Sequence, residues 1–413
     1  MVLFKKKILD NGLTVIVSCD KNTPIVAFNI LYKIGSRDEH PDKTGFAHLF
    51  EHLMFSGTHN IPKFDSPVQQ AGGQSNAFTS KDITNYHITL PYQNIETAFW
   101  LESDRMNGLA FTKKGLETQR KVVIEEFNQS YLNRPYGDVW QLLSPLAYKS
   151  HPYLWNTIGM DPSHIEKATM EDVKAFFYNY YRPNNAILSI VGNVDEEAMF
   201  LMAEKWFGSI PGGNIPLRNL PPEPQQTESR ILEVTREVDS DAIYKAYHSC
   251  HRMSENHYAV DLLSDVFSNG KSSILYQNLV KKNPAFYELD AFITSTIDAG
   301  LFVISGKPAS GISLNEANEL IEEEIRKFLK ASVKNYDLEK VKNKSISSML
   351  YSEMFALSKA KDLAYAEFLS EAAMVNNEIE KYTNVTAAQI LSQAEIVLNS
   401  SNCSTLYYHS EKK

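Results

Sequence analysis

Cysteine residues and long apolar runs are both scarce in this sequence. Its three cysteines, Cys19, Cys250 and Cys403, lie far apart and form no CxxC pair. A disulfide framework is therefore not expected, and we interpret them as small apolar residues. No apolar run reaches the roughly 18 residues that a membrane-spanning helix needs, so no membrane span is predicted.

An excess of basic residues is also absent, because 41 lysines and arginines stand against 50 aspartates and glutamates. No basic stripe interleaved with aromatic residues offsets this acidic balance, so nucleic-acid binding is not expected. The N-terminal stretch MVLFKKKILDNG has no apolar segment followed by a small-residue cleavage site. We therefore predict a cytoplasmic protein, or a periplasmic one if a signal was removed before Met1.

The length of 413 residues predicts more than one domain, because it exceeds what one hydrophobic core usually organises. Pro and polar residues cluster without an apolar period in PLRNLPPEPQQTES, residues 216–229, which we predict to be a linker. Strand-like and helix-like segments follow one another in a similar order on either side of it. This order predicts two homologous α+β halves, at 1–215 and 230–413.

Each half is expected to contain a mixed, mainly antiparallel sheet with helices packed on it. The first half begins with two strand-like segments, LTVIVS and IVAFNILYKIG, which the turn-like CDKNTP should join into a hairpin. Apolar residues then recur with a helical period. The predicted helices are at about 43–56, 94–107, 114–132 and 170–181.

The segment GFAHLFEHLMFSGT, residues 45–58, divides on a helical wheel into an apolar stripe and a polar side. The stripe consists of Phe46, Leu49, Phe50 and Leu53, and the polar side carries His48, Glu51 and His52. Two imidazoles at i and i+4 can converge on one zinc ion, and the glutamate between them can act on a water molecule. The alternative is a solvated helix face that happens to carry two histidines.

A catalytic zinc typically takes three protein ligands, so a downstream carboxylate is needed. The stretch 115–133 indicates a helix on which Glu125 and Glu126 lie about 100° apart. Glu126 lies beside the apolar stripe of this second helix, whereas Glu125 points away from the core. We therefore choose Glu126 as the third ligand; the alternative is that both glutamates are solvated surface charges.

This HxxEH motif, followed 74 residues after His52 by the second glutamate of VVIEEF, resembles the pitrilysin/insulinase family of inverted-zinc-motif metallopeptidases. The bacterial two-domain, processing-peptidase-like type is the most similar. Further segments resemble the same family in the expected order, namely GSRDE, EHLMFSGT, GGQSNAFTSKDITNYHITLP, HPYLWNTIG, YYRPNNAILSIVGNVD and NGKSSILYQNLV. The resemblance covers essentially the whole chain.

The resemblance implies a zinc endopeptidase whose two homologous halves form half of a clamshell around a closed chamber. His48, His52 and Glu126 would bind one Zn²⁺ per chain, and Glu51 would serve as general base and acid. Substrates would be peptides or unfolded polypeptide segments, because a folded protein cannot enter the chamber.

The stretch GGQSNAFTS, residues 72–80, by itself indicates a turn and a strand that is either core or edge. The resemblance makes it the edge strand beside the zinc, where an extended peptide would add through main-chain hydrogen bonds. Asn76 would then hold the region of the scissile amide, and Ala77, Phe78 and Thr79 would line the strand.

Two positions depart from the family pattern. Gln119 stands where a glutamate commonly lies seven residues before the zinc glutamate, so it can hydrogen-bond near the metal but carries no charge. In VKKNPAFY, Tyr287 matches the tyrosine of a substrate-holding arginine and tyrosine pair, but the arginine position is Val280. We therefore expect a homologous second subunit, in a heterodimer that supplies the pair or in a homodimer. Alternatively, Tyr287 is only a packed aromatic residue.

Two other functions are compatible with the same resemblance. The chain could be a non-catalytic structural or partner-binding subunit of a processing-peptidase-like complex, but such subunits usually lose the zinc motif. A structural zinc site in a peptide-binding protein would leave Glu51 without a chemical task. The intact motif therefore favours the enzyme.

Overall fold

The structure is a computed structural model that describes residues 1–331 and 333–411. The chain forms two compact units, and each is assembled from separate segments. Unit 1 consists of Met1–Ser130, Trp155–Leu220 and Leu350–Asn377, and unit 2 consists of Tyr131–Leu154, Pro221–Met349 and Glu378–Lys413. One crossing from unit 1 to unit 2 falls between Leu220 and Pro221, inside the stretch predicted as a linker.

Two segments differ from the predicted division into contiguous halves. Tyr131–Leu154 precedes the predicted linker but belongs to unit 2, and Leu350–Asn377 follows the linker but belongs to unit 1. Each of them carries a helix whose apolar side covers a sheet of its unit. The helical period reveals such an apolar side but not which of two similar sheets it covers. This exchange was therefore not predictable from the pattern of residues.

The strands form one sheet in each unit. In chain order they are β1 (Lys5–Ile8), β2 (Thr14–Cys19), β3 (Ile25–Tyr32), β4 (Gln74–Thr79), β5 (Thr84–Pro91), β6 (Ala186–Gly192), β7 (Arg230–Arg236), β8 (Ala242–His248), β9 (Phe286–Ile293), β10 (Leu301–Pro308) and β11 (Cys403–Ser410). The sheet of unit 1 has the order β1-β2-β6-β3-β5-β4, and that of unit 2 has the order β7-β11-β8-β10-β9. Central strands such as β3, IVAFNILY, are apolar almost throughout because helices cover both faces of the sheet.

The two sheets share one topology. Five strands follow the same path in each sheet, with the first and fifth strands paired in parallel and all other pairs antiparallel. Unit 1 adds β1, which pairs with β2 at the edge. This agreement confirms the predicted α+β class with two homologous, mainly antiparallel halves.

The predicted hairpin between the first two strand segments is wrong, although both segments are strands. They become β2 and β3, and β6 lies between them, parallel to β2 and antiparallel to β3. The β1 strand takes the place of hairpin partner to β2. Local turn signals identify the strand ends but cannot exclude a distant strand from inserting between the two.

The helices cover the sheets. They are α1 (Phe46–Leu53), α2 (Asp65–Gln70), α3 (Ile95–Asn107), α4 (Lys113–Phe127), α5 (Val139–Ala147), α6 (Pro162–Glu166), α7 (Met170–Tyr180), α8 (Glu196–Phe207), α9 (His257–Ser268), α10 (Leu314–Lys330), α11 (Asn335–Ser352), α12 (Ala356–Leu369), α13 (Glu378–Thr383) and α14 (Ala387–Val397). In unit 1, α12 packs on β3 and β6, and in unit 2, α5 packs on β8 and β11. A helix long and apolar enough to cross a membrane is not found in the described part of the chain. The cytoplasmic location stays a prediction.

A buried ion pair lies in the core of unit 1. The guanidinium of Arg105 donates to both carboxylate oxygens of Glu102, at 2.5 and 2.7 Å, and the two residues are at most 1% exposed. The same guanidinium lies 4.4 Å from the ring centres of Phe64 and Tyr86. Burial raises the pKa of Glu102, and Arg105 opposes that rise. Each charge is therefore tolerated in the core only because the other is present.

Replacing Arg105 by leucine should lower the free energy of unfolding by about 3–5 kcal/mol, because Glu102 would be left buried without its partner. Replacing both residues by leucine should lower it less than the single change does. Chemical denaturation of the three proteins measures both effects. A double variant that is less stable than Arg105→Leu by a similar further amount would contradict this account.

Candidate metal centre

The N-terminus of α1 is fixed by two close contacts. Gly45, which precedes the helix, has φ of +90°, and a Cβ atom there would lie 2.6 Å from the carbonyl oxygen of Ile158. The carboxylate of Glu39 accepts hydrogen bonds from the backbone N–H groups of Gly45 and Ala47 at 2.8 and 2.7 Å. Burial raises the pKa of Glu39, and the two backbone hydrogen bonds oppose that rise. The carboxylate thus satisfies two N–H groups that the helix itself leaves without acceptors.

One side of α1 packs into a cluster of aromatic residues, as its predicted apolar stripe requires. Phe50 stacks on Phe176 of α7 with ring centres 4.9 Å apart, and it also stacks on Tyr181 at 5.3 Å. All four residues of the stripe are buried. The hydroxyl of Tyr86 donates to the carbonyl oxygen of Phe50. This packing fixes the rotation of α1 about its axis, so the histidines are held on the opposite side.

His48, His52 and Glu126 come together in a small triangle. The Nε2 atoms of the two histidines are 3.3 Å apart, and the Oε2 atom of Glu126 lies 3.4 Å from that of His52 and 3.7 Å from that of His48. Glu126 comes from the last turn of α4, which packs against α1. Within residues 1–331 and 333–411, these three form the one group of histidine, cysteine and acidic side chains whose possible ligand atoms all lie within 4.8 Å of one another.

The triangle fits the coordination geometry of zinc. Ligand atoms placed tetrahedrally at about 2.0–2.1 Å from an ion lie about 3.3–3.4 Å from one another. Two sides of the triangle have this length and the third is slightly longer. Two imidazoles and one carboxylate are also a known donor set for a zinc that keeps a fourth position open. The residues therefore fit this metal in both chemistry and spacing.

The electrostatics of the triangle favour a cation. Burial lowers the pKa of His48, which keeps its imidazole neutral, and hydrogen bonding to His52 lowers the pKa of Glu126, which keeps its carboxylate charged. These are the protonation states that bind a metal. Glu125 points elsewhere, because its carboxylate accepts a hydrogen bond from the exposed Gln129 at 2.7 Å. The geometry therefore agrees with the choice of Glu126 over its neighbour.

Glu51 lies beside the triangle and is tied to β4. The hydroxyl of Thr79, the last residue of β4, donates to Oε2 of Glu51 at 2.7 Å. β4 is the outermost strand of its sheet next to β5. Its side chains alternate, with positions 75, 77 and 79 half-buried and positions 74, 76 and 78 exposed. Only one of the two faces of β4 is therefore directed toward Glu51.

The predicted substrate-binding residues divide between these two faces. Ala77 and Thr79 share the face that contacts Glu51, whereas Asn76 and Phe78 point to the opposite face by alternation. The side-chain oxygen of Asn76 accepts a hydrogen bond from the N–H of Ala77, and Lys361 of α12 lies 5.4 Å from the ring centre of Phe78. The interaction of Asn76 with the amide of a substrate stays a prediction.

The remaining predicted residues lie apart along the chain. Gln119 is half-buried on α4, two turns before Glu126 and on the same side of that helix. Tyr287 belongs to β9 of unit 2 and is 64% exposed, so it is not the packed aromatic residue of the alternative interpretation. Val280 lies in a π-helical turn, Tyr276–Lys282, and packs against the core of unit 2.

Sequence reasoning missed two contributors to this arrangement. Glu39 lies in the segment GSRDE, but nothing in its spacing shows that its carboxylate reaches the start of α1. A glutamate shortly before a helix is only a weak indication that its carboxylate contacts the start of that helix, because acidic residues are common there. The sequence predicts Thr79 only as a residue that lines the substrate, and its contact with Glu51 depends on a pairing register that the sequence alone does not reveal.

Two family models match this chain. Residues 14–153 match the model described as Insulinase (Peptidase family M16), and residues 167–345 match the one described as Peptidase M16 inactive domain. The zinc protease PqqE of Helicobacter pylori is 31% identical over 91% of this chain and 84% of its own length. The chain belongs to the insulinase family. Its predicted family is thereby confirmed.

Two solved structures share the fold of this chain, and a further relative matches about half of its sequence. The crystal structure of a protease from Helicobacter pylori has a TM-score of 0.94 at 27% identity and covers 99% of this chain and 100% of its own. A structure described as a peptidase M16 inactive domain from Pseudomonas fluorescens covers 99% of this chain and 98% of its own, with a TM-score of 0.89 at 16% identity. The mitochondrial-processing peptidase subunit beta of Saccharomyces cerevisiae is 30% identical over 51% of this chain and 45% of its own length.

Replacing Glu39 by alanine should destabilise the start of α1, because two buried N–H groups would lose their acceptor. An unsatisfied buried group costs about 1–3 kcal/mol. Hydrogen exchange in a peptide covering 45–53 should accelerate, and Glu39→Gln, which keeps one acceptor oxygen, should give a smaller effect. Glu117→Ala on the exposed side of α4 is the control. Unchanged exchange in Glu39→Ala would show that this carboxylate does not hold the helix.

Proposed function

We propose that this chain is the zinc-bearing subunit of an endopeptidase, in which His48, His52 and Glu126 bind one Zn²⁺ and Glu51 is the general base. The observation that supports the proposal most is the triangle of ligand atoms, with sides of 3.3, 3.4 and 3.7 Å. Relatives named zinc protease support the same metal. The carboxylate of Glu51 beside the triangle supports catalysis over a purely structural site.

Zinc, when bound, supplies Lewis acidity that lowers the pKa of a water molecule and polarises a carbonyl group. The carboxylate of Glu51 accepts a proton from the attacking water and then donates that proton to the nitrogen of the departing amine. His48 and His52 would hold the metal through their Nε2 atoms. The chain itself therefore contributes the ligands and the group that moves the proton.

The substrate class follows from the position of β4. A strand at the edge of a sheet offers backbone N–H and C=O groups to an extended peptide, which can add as a further strand. The residues proposed to line the added peptide are Asn76, Ala77, Phe78 and Thr79. Because peptides and unfolded segments have free backbone groups that can pair with this edge, we assign them as substrates. Main-chain pairing would give affinity with little dependence on sequence.

A homologous second subunit is part of the proposal. Val280 has no donor to offer a substrate carbonyl, so Tyr287 would act without the arginine that usually accompanies it. Some relatives of this chain are named as the beta subunit of a mitochondrial-processing peptidase. A partner chain, in a heterodimer or a homodimer, would then complete the substrate contacts.

A non-catalytic role is the second candidate, and the description of one family model as an inactive domain favours it for part of the chain. That model matches residues 167–345, whereas His48, Glu51, His52 and Glu126 all lie within 14–153. The inactive description therefore concerns the part of the chain without the zinc motif. The complete ligand set keeps the enzyme as the preferred proposal.

Replacing Glu51 by glutamine should leave zinc content near one equivalent and abolish hydrolysis of an unfolded peptide, because the amide cannot take a proton. Metal analysis and a fluorogenic peptide assay on the same preparation measure both. Glu126→Ala should lose zinc and activity together, whereas Glu125→Ala, one residue away, should keep both. Hydrolysis by Glu51→Gln at the wild-type rate would contradict the proposed role.

Zinc binding should weaken as the pH falls, because protons compete for the imidazole nitrogens. Burial lowers the pKa of His48, so its neutral form persists to a lower pH than that of a free histidine. Zinc content and peptide cleavage should stay constant down to about pH 6.5 and fall together below about pH 6. Full zinc content and activity after dialysis at pH 5 would count against this assignment.

A further inference from the structure

We infer that Thr79 is a positioning residue that orients the carboxylate of Glu51 and couples it to the strand that receives the peptide. The inference rests on the proposed function. It differs from the sequence-based assignment, in which Thr79 only lined the path of the substrate. The hydroxyl acts through Glu51 and need not touch the substrate itself.

The hydrogen bond has one possible direction. A carboxylate can only accept, so the hydroxyl of Thr79 donates to Oε2 of Glu51 across 2.7 Å. A hydrogen bond to an ionised acceptor is stronger than one between neutral groups. It restrains the last torsion of the glutamate side chain, which is otherwise broad. One carboxylate oxygen is thereby held, and Oε1 is left to exchange the proton.

The backbone around Thr79 is held rigidly by the sheet. Its backbone is paired with Thr84 of β5, and the hydroxyl of Thr84 donates to the buried carbonyl oxygen of Ile34 at 2.9 Å. The turn that follows is closed by a backbone hydrogen bond of 2.8 Å from Ser80 to Ile83. The branched side chain of threonine also has few rotamers. The hydroxyl is therefore held in place by the sheet rather than by the flexible end of a loop.

This arrangement joins two elements that must act together. Glu51 belongs to α1, which carries the two histidines, whereas Thr79 belongs to β4, to which the peptide would add. Without the hydrogen bond, the carboxylate could turn away from the triangle while the histidines stayed in place. Loss of the hydroxyl should therefore lower the rate of the chemical step and leave metal binding and peptide binding largely intact.

A purely structural role for Thr79 makes a different prediction. A half-buried threonine that only fills space would be replaced by valine, which has the same shape, without loss of rate. Serine, which keeps the hydroxyl but lacks the methyl group, would then be the more harmful replacement. Which of the two variants loses more catalytic rate therefore distinguishes a positioning role of Thr79 from a packing role.

The test compares Thr79→Val and Thr79→Ser in the native preparation, purified with any subunit that accompanies the chain. Thr79→Val should lower kcat by about 10- to 100-fold, as expected for the loss of a hydrogen bond to a charged group, with KM changed less than about threefold. Thr79→Ser should stay within about threefold of wild type, and zinc content should be equal in all. Thr89→Val, a half-buried threonine of β5 opposite Gln74, is the matched control.

A second readout does not depend on activity. In metal-free protein, Thr79→Val should lower the Tm by about 1–3 °C when Glu51 is present and by less when Glu51 is alanine. Equal Tm shifts with Glu51 and in the Glu51→Ala background, or a wild-type kcat in Thr79→Val, would overturn this inference. Neither result would affect the proposed function. A wild-type preparation that binds zinc but cleaves no peptide would refute the proposed function and this inference with it.

Discussion

The candidate site depends on a single helix that is held on two sides. The aromatic cluster around Phe50 fixes the rotation of α1, and the carboxylate of Glu39 fixes its start. Helix geometry places the histidines at i and i+4 on one face, and these two constraints orient that face toward α4. Glu126 then completes the triangle from α4, which packs against α1. The site is thus a consequence of ordinary core packing placed next to a polar helix face.

Unit 1 supports this helix with elements that are distant in sequence. β6 inserts between β2 and β3, and α12 covers these central strands from a segment more than 300 residues beyond β3. Behind the site, Arg105 joins Glu102 to the rings of Phe64 and Tyr86. Because such buried charges and long-range pairings depend on the complete fold, metal affinity and the stability of unit 1 should be linked. The site is not independent of the domain that carries it.

Much of this arrangement was predictable from the sequence, and the limits have physical causes. The spacing of His48, Glu51 and His52 on one helix face, and the choice of Glu126 over Glu125, follow from helical period because helix geometry is local. The hairpin prediction failed because nothing local forbids β6 from inserting between β2 and β3. The contact between Thr79 and Glu51 could not be foreseen, since it requires the register of β4 on β5. The residues that share one helix face could be predicted from the sequence, whereas contacts between distant segments could not.

A crystal structure of the zinc-soaked protein, with anomalous data at the zinc edge, tests the ligand set most directly. We expect one strong peak within about 2.0–2.2 Å of Nε2 of His48, Nε2 of His52 and a carboxylate oxygen of Glu126. The carboxylate of Glu51 should lie beside this peak without ligating it. A peak that lacks any of the three ligands, or one ligated by Glu51 in place of Glu126, would show that the proposed zinc site is wrong.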